Sequence, residues 1–135
     1  MPDWLWRALL AAAIIAVSWA ALRVLTQQAS RRGAARLSEL RRAGRRAGKV
    51  LVYFTTPTCI PCKTIQRPAI EDAKQSLGTE LEVIEIDAQA QPELASRWGV
   101  LSVPTTYLFN RQGEMKHANY GVVRLEKLLE QLQQL

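Results

Sequence analysis

Cysteine, histidine and aromatic residues are all sparse: the 135-residue chain has two Cys, one His and 7% aromatics. Two cysteines cannot build a disulfide-rich secreted scaffold, and they fall short of a four-cysteine zinc site. No glycine-rich phosphate loop, nucleotide motif or internal repeat occurs. The length leaves room for one small domain plus an appendage, which excludes a multi-domain enzyme. With 48% hydrophobic residues the chain is not wholly disordered.

Acidic residues are nearly missing from the first 49 positions, where Asp3 and Glu39 stand against ten Arg/Lys for a net charge of +8. Residues 50–135 carry ten acids and eight bases, so the overall +6 belongs to the N-terminal part alone. The remainder reads as an ordinary, mildly acidic globular segment rather than a nucleic-acid-binding one.

What the N-terminal part does have is a long apolar run. Positions 8–22 are uncharged, and Arg7 and Arg23 sit at the edges, where long side chains reach the headgroups. Positions 4–25, 22 residues, would extend about 33 Å as helix at 1.5 Å per residue. Trp4, Trp6 and Trp19 lie near the ends, as interfacial aromatics do. We read residues 1–30 as a transmembrane anchor. A cleaved signal peptide is the first rival, but Asp3, the lone Arg7 and a Trp inside the Ser18-Trp19-Ala20 site weigh against it. A buried soluble helix, the second rival, would need a larger protein around it.

Arg31, Arg32, Arg36, Arg41, Arg42, Arg45 and Arg46 follow the apolar run. Basic flanks stay cytoplasmic, which predicts a single-pass protein with its domain on the cytoplasmic side. Residues 31–49 read as a basic juxtamembrane linker, partly helical, with Leu37 and Leu40 on one face and Gly44 and Gly48 at the entry to the domain. Anionic lipid headgroups would attract these arginines. No aromatic residue accompanies the charge, so nucleic acid is not expected as a partner.

From Val50 the pattern changes. Val50-Leu51-Val52-Tyr53-Phe54 is a continuous apolar run suited to a strand buried on both faces. A turn, Thr55-Thr56-Pro57-Thr58, leads to Cys59-Ile60-Pro61-Cys62-Lys63. A helix follows, with Ile65, Ala69, Ile70, Ala73 and Leu77 on its apolar stripe and Gly78 at its end. Strands are predicted over 81–87, 105–109 and 114–119, the last two joined at Asn110-Arg111-Gln112-Gly113. Helices are predicted over 92–98, closed by Gly99, and at the C-terminus, with Val122, Leu125, Leu128, Leu129 and Leu132 buried. The order β-α-β-α-β-β-α gives an α/β fold with a central mixed sheet covered by helices.

This succession, with Cys-x-x-Cys at a strand-to-helix junction and Val103-Pro104-Thr105 about 40 residues on, resembles the thioredoxin family across residues 50–135. The resemblance implies the three-layer thioredoxin-like fold, preceded here by the transmembrane helix. It implies a thiol–disulfide oxidoreductase, a protein-disulfide reductase working without cofactor or metal. Cysteines with two residues between them on a first helical turn lie within bonding reach. At a helix N-terminus unpaired N–H groups and the macrodipole favour a thiolate, so Cys59 is expected to attack and Cys62 to resolve the mixed disulfide. Pro61 costs no helical hydrogen bond at this place, and Ile60 makes the face beside Cys59 apolar. Pro104 resembles the family's cis-proline; Ile60, Pro61, Val103 and Pro104 are thus the expected substrate-binding residues.

Several positions depart from the family pattern. Tyr53 stands where many members have a buried aspartate, and Glu85 where a lysine often accompanies it. Acid–base assistance is therefore missing, or comes from Glu85 or water. Thr58 replaces a common tryptophan, and Pro68 falls one residue later than expected, which implies a bulge or a shifted kink. The usual preceding strand and helix are not evident, although residues 34–47 could supply the helix. His117 reads as a surface residue, Trp98 as packing at a helix end, and Glu80, Glu82 and Asp87 as a solvated strand face. Expected partners are disulfide-containing protein substrates, a separate reductase and the membrane. The alternatives are the same chemistry on the exported side, for cytochrome maturation or disulfide isomerisation, and a non-catalytic binding module with a structural disulfide. A metal shared through the thiolates of two chains is a remote further option.

Overall fold

The run from Val50 to Phe54 is buried on both faces, and that property places it at the centre of the sheet. The computed structural model describes the backbone of residues 3–40 and 48–135, and the side chains of residues 4–25 and 48–135. Two compact units are present, Met1–Arg32 and Gly33–Leu135.

In the first unit, helix α1 begins, spanning Asp3–Leu40. Its Trp4–Leu25 segment is long and apolar enough to cross a membrane, by length and composition. All its described side chains are exposed, and the Arg23 guanidinium lies 3.8 Å over the Trp19 ring. Helix therefore continues well into the basic stretch, while Gly44, the arginines of 41–46 and the face carrying Leu37 and Leu40 lie outside the described residues.

In the second unit, β1 (Lys49–Thr55) leads to a π-helical turn (Cys62–Gln66), α2 (Arg67–Leu77), β2 (Leu81–Asp87) and α3 (Pro92–Arg97). Then come β3 (Thr105–Phe109), β4 (Met115–Tyr120) and α4 (Leu125–Gln133). The sheet order is β2-β1-β3-β4, with β1 parallel to β2 and antiparallel to β3, and β3 antiparallel to β4. Two-residue alternation along β1 divides the core. Val50, Val52 and Phe54 join Leu94, Ala95 and Trp98 from the α3 side. Leu51 and Tyr53 join Cys62, Ile70, Ala73, Leu128 and Leu132 on the other, under α2 and α4. The result is the expected three-layer α/β fold with a central mixed sheet. Trp98 is a packing residue, with Phe54 and Tyr107 rings 5.6 and 5.4 Å away.

Three sequence-based expectations shift. The stripe of the helix after the cysteines omits Ile65, which is 44% exposed, and includes Gln66, which is fully buried. The π turn inserts one residue and rotates everything before it relative to α2, which also accounts for the late Pro68 in the first turn of α2. The last strand starts at Met115 because Asn110 ties down the turn: its Oδ1 accepts from Gln112 N–H and Glu114 N–H at 3.1 and 2.9 Å. Finally, Val123 is buried in place of Val122, since helix α4 begins only at Leu125 and the preceding residues are extended.

Candidate active site

Cys59 is placed by backbone hydrogen bonds on both sides. Its N–H donates to the Thr56 carbonyl at 3.2 Å, and its carbonyl accepts from Lys63 N–H at 3.4 Å. Its Sγ accepts from the Cys62 N–H at 3.3 Å, so the sulfur caps one of the free donors of the helix that starts at Ile60. Pro61 has no N–H to offer, which leaves Cys62 as the donor that reaches this sulfur. A disulfide joins Cys59 to Cys62, with Cα atoms 5.3 Å apart. The two cysteines are not equivalent: Cys59 is half-buried, whereas Cys62 is 1% exposed. Ile60 is 71% exposed and Pro61 is exposed beside it.

The Val103–Pro104 bond is cis. Val103 and Cys59 both pack, half-buried, against the cluster that contains Cys62, so the expected substrate-binding loop and the cysteine pair border the same part of the core. The Pro104 carbonyl accepts from Gly121 N–H at 2.8 Å, which fixes the loop to the end of β4. Thr56, Val100, Leu101 and Val103 line an open groove of 400 Å³.

Residues 38–134 match the family model described as thioredoxin. The chain belongs to the thioredoxin family. It is 36% identical to thioredoxin from Bacillus subtilis over 83 residues, which cover 62% of this chain and 78% of that protein. It is 34% identical to the thioredoxin-like protein slr0233 of Synechocystis over 84 residues, covering 62% and 78%. Among solved structures it resembles a mutant thioredoxin from Halobacterium salinarum, with a TM-score of 0.56 and 30% identity over 64% of this chain and 73% of that one. It also resembles mitochondrial thioredoxin 3 from Saccharomyces cerevisiae in its oxidized form, with a TM-score of 0.61 and 22% identity over 73% and 90%. As a member of this family with a Cys-x-x-Cys pair at bonding distance, the chain is a thiol–disulfide oxidoreductase.

Behind the cysteines this chain has its own arrangement. The Tyr53 hydroxyl donates to the Cys62 carbonyl at 3.2 Å, and the same carbonyl accepts the Arg67 N–H that closes the π turn. Burial pushes the Tyr53 phenol above its usual value; the nearby Glu85 charge adds to the rise, while a Thr55 hydrogen bond and the Arg67 charge oppose it. Glu85 lies opposite Tyr53 in the parallel register and accepts from Arg67 at 2.6 Å. Gln66 is held at both ends of its amide: Nε2 donates to the Val123 carbonyl at 3.3 Å, and Oε1 accepts from Val123 N–H at 2.8 Å.

Sequence reasoning missed Gln66, Arg67 and Leu101. The displaced Pro68 signalled the first two, since an extra residue in the turn must bring a new side chain inward. Nothing in the pattern singled out Leu101, which is 96% exposed next to the cis-proline loop. His117 lies on the edge strand β4, and Glu80 reaches Arg111 at 3.1 Å in an exposed ion pair. Among the described residues no group of three His, Cys, Asp or Glu side chains could hold a metal ion.

Proposed function

We propose that this member of the thioredoxin family is a membrane-tethered protein-disulfide reductase, with residues 1–30 as its anchor, 31–49 as a basic linker and 50–135 as the catalytic domain on the cytoplasmic side. The hydrogen bond from the Cys62 N–H to Cys59 Sγ carries the assignment of roles. Once the disulfide is reduced, that donor and the helix end favour a thiolate on Cys59. Cys59 is thus the nucleophile, and the buried Cys62 resolves the mixed disulfide. Ile60, Pro61, Val103 and Pro104 form the surface against which a substrate segment lies. Electrons come from a separate reductase, and substrates are disulfide-containing proteins. The arginine-rich flank after the apolar helix supports the cytoplasmic placement.

Insulin-disulfide reduction by the full chain in detergent micelles tests the chemistry: Cys59→Ser abolishes it and Cys62→Ser accumulates mixed disulfides. Full activity of the Cys59→Ser protein would overturn the assignment. Protease digestion of intact cells tests the topology. A domain shielded from external protease and cleaved after lysis agrees with the reading, and a domain cleaved in intact cells contradicts it.

A further inference from the structure

The two outer strands of the sheet are finished differently. On one side β4 carries Lys116, and its pairing with β3 is broken by a register shift at Leu108/Phe109; a lysine and a bulge both keep an edge from pairing further. On the other side β2 pairs with β1 at every position from Lys49↔Leu81 to Thr55↔Asp87, without a shift, and contains neither proline nor a basic residue. It ends the sheet order, so among the described residues no strand lies beside its outer row of backbone N–H and C=O groups. Helix α2 does not close this edge. An open groove of 550 Å³ lies there, lined by Glu71, Lys74 and Gly78 from the helix and its end and by Leu81, Glu82 and Val83 of the strand. Apolar side chains stand on both faces of β2: Ile84 packs on the α3-side core and Val83 on the α2-side core, each only half-buried.

The sign of the edge selects what can lie on it. Glu80, Glu82, Glu85 and Asp87 fall within one stretch, 80–87, that includes no base. Glu71 and Lys74 on the adjoining helix offset each other. Arg67 lies 2.6 Å from Glu85 and Arg111 3.1 Å from Glu80, but both pairs are about half exposed and so hold their acids weakly. Lys49, in register with Leu81, is committed to the Leu132 carbonyl, to which it donates at 2.6 Å. Two copies of β2 placed edge to edge would line up four acids from each along one seam, and like charges on neighbouring strands repel. A basic segment meets no such repulsion.

We propose that the open edge of β2 is a docking site for an extended segment of another protein, one in which basic and apolar residues alternate, added to the sheet as a fifth strand. Its backbone continues the hydrogen-bond ladder. Two-residue alternation puts Glu85 and Asp87 on one face of β2 and Ile84 and Ile86 on the other. The basic side chains of the added strand stand with the two acids, and its apolar ones extend the α3-side core beside the two isoleucines. Docking there leaves the roles of the two cysteines untouched.

The full chain in micelles of a neutral detergent, titrated with the fluorescein-labelled peptide Lys-Val-Lys-Val-Lys-Val-Lys and followed by fluorescence anisotropy, tests this. Saturable binding is expected, weakening as salt is raised, with amide hydrogen exchange slowed within residues 81–87. The peptide Glu-Val-Glu-Val-Glu-Val-Glu is expected to bind at least about tenfold more weakly. The basic peptide N-methylated throughout, which keeps its charge and loses its backbone donors, is expected to lose at least about tenfold as well. No saturable binding of the basic peptide would overturn the proposal, as would equal binding of the N-methylated or the acidic form, or protection confined to residues outside 81–87. A dimer in analytical ultracentrifugation with residues 81–87 already protected before peptide is added would overturn it in favour of a second copy of this chain.

Discussion

Gln66→Met keeps the volume of a fully buried side chain and removes its polar end. Methionine is unbranched and adapts to the same space, so cavity and packing costs stay small. What is lost is the pair of hydrogen bonds to Val123, at 2.8 Å to its N–H and 3.3 Å to its carbonyl. Val123 is 6% exposed, so water does not readily replace either partner. An unsatisfied buried backbone group costs about 1–3 kcal/mol. The shorter bond, to the donor, accounts for most of the effect, and the total comes to about 2–4 kcal/mol. That is a large share of the roughly 5–15 kcal/mol available to a small domain. Urea unfolding of the full chain in mild detergent, followed through the buried Trp98, measures it as a lowered midpoint with unchanged slope. A loss below about 1 kcal/mol would refute the reasoning, because the amide would then not be what holds the π turn against the segment before α4.

Other consequences concern the core, the phenol and the surface. Leu128→Ala, at a fully buried position on α4, is expected to cost about 2–5 kcal/mol by the same unfolding assay. Tyr53 holds its proton more tightly when folded than unfolded, so its contribution is complete below the usual phenol value of about 10 and is lost as pH rises through the folded value. Ultraviolet titration of the phenols therefore contains a late component that Tyr53→Phe removes, and alkaline unfolding of the unaltered chain steepens in that range. Ile60→Ser, at an exposed position, leaves stability within about 0.5 kcal/mol but raises KM for disulfides flanked by apolar residues. An unchanged KM would remove Ile60 from the substrate surface.

The fold was legible where one physical property dominated. A five-residue apolar run announced the central strand, and the cysteine spacing at its end located the site. Val103 and Pro104 could be linked to the cysteines only through the family pattern, because their proximity is a property of chain topology. The π turn was visible as a one-residue surplus before Pro68, but not its consequence. Helical periodicity assigned Ile65 to the core, and the widened turn put Gln66 there instead. Tyr53 was recognised as an unusual occupant. Its bond to the Cys62 carbonyl depends on tertiary approach between β1 and the turn, which no local pattern encodes.

Alkylation of the reduced chain by iodoacetamide as a function of pH tests most directly whether the sulfur at the head of the helix is an anion near neutrality. One thiol should react rapidly, with a midpoint below that of free cysteine; the fast reaction should vanish in Cys59→Ser and persist in Cys62→Ser. If both thiols react slowly and titrate as free cysteine does, the sulfur is not activated by the helix end and the proposed mechanism is wrong.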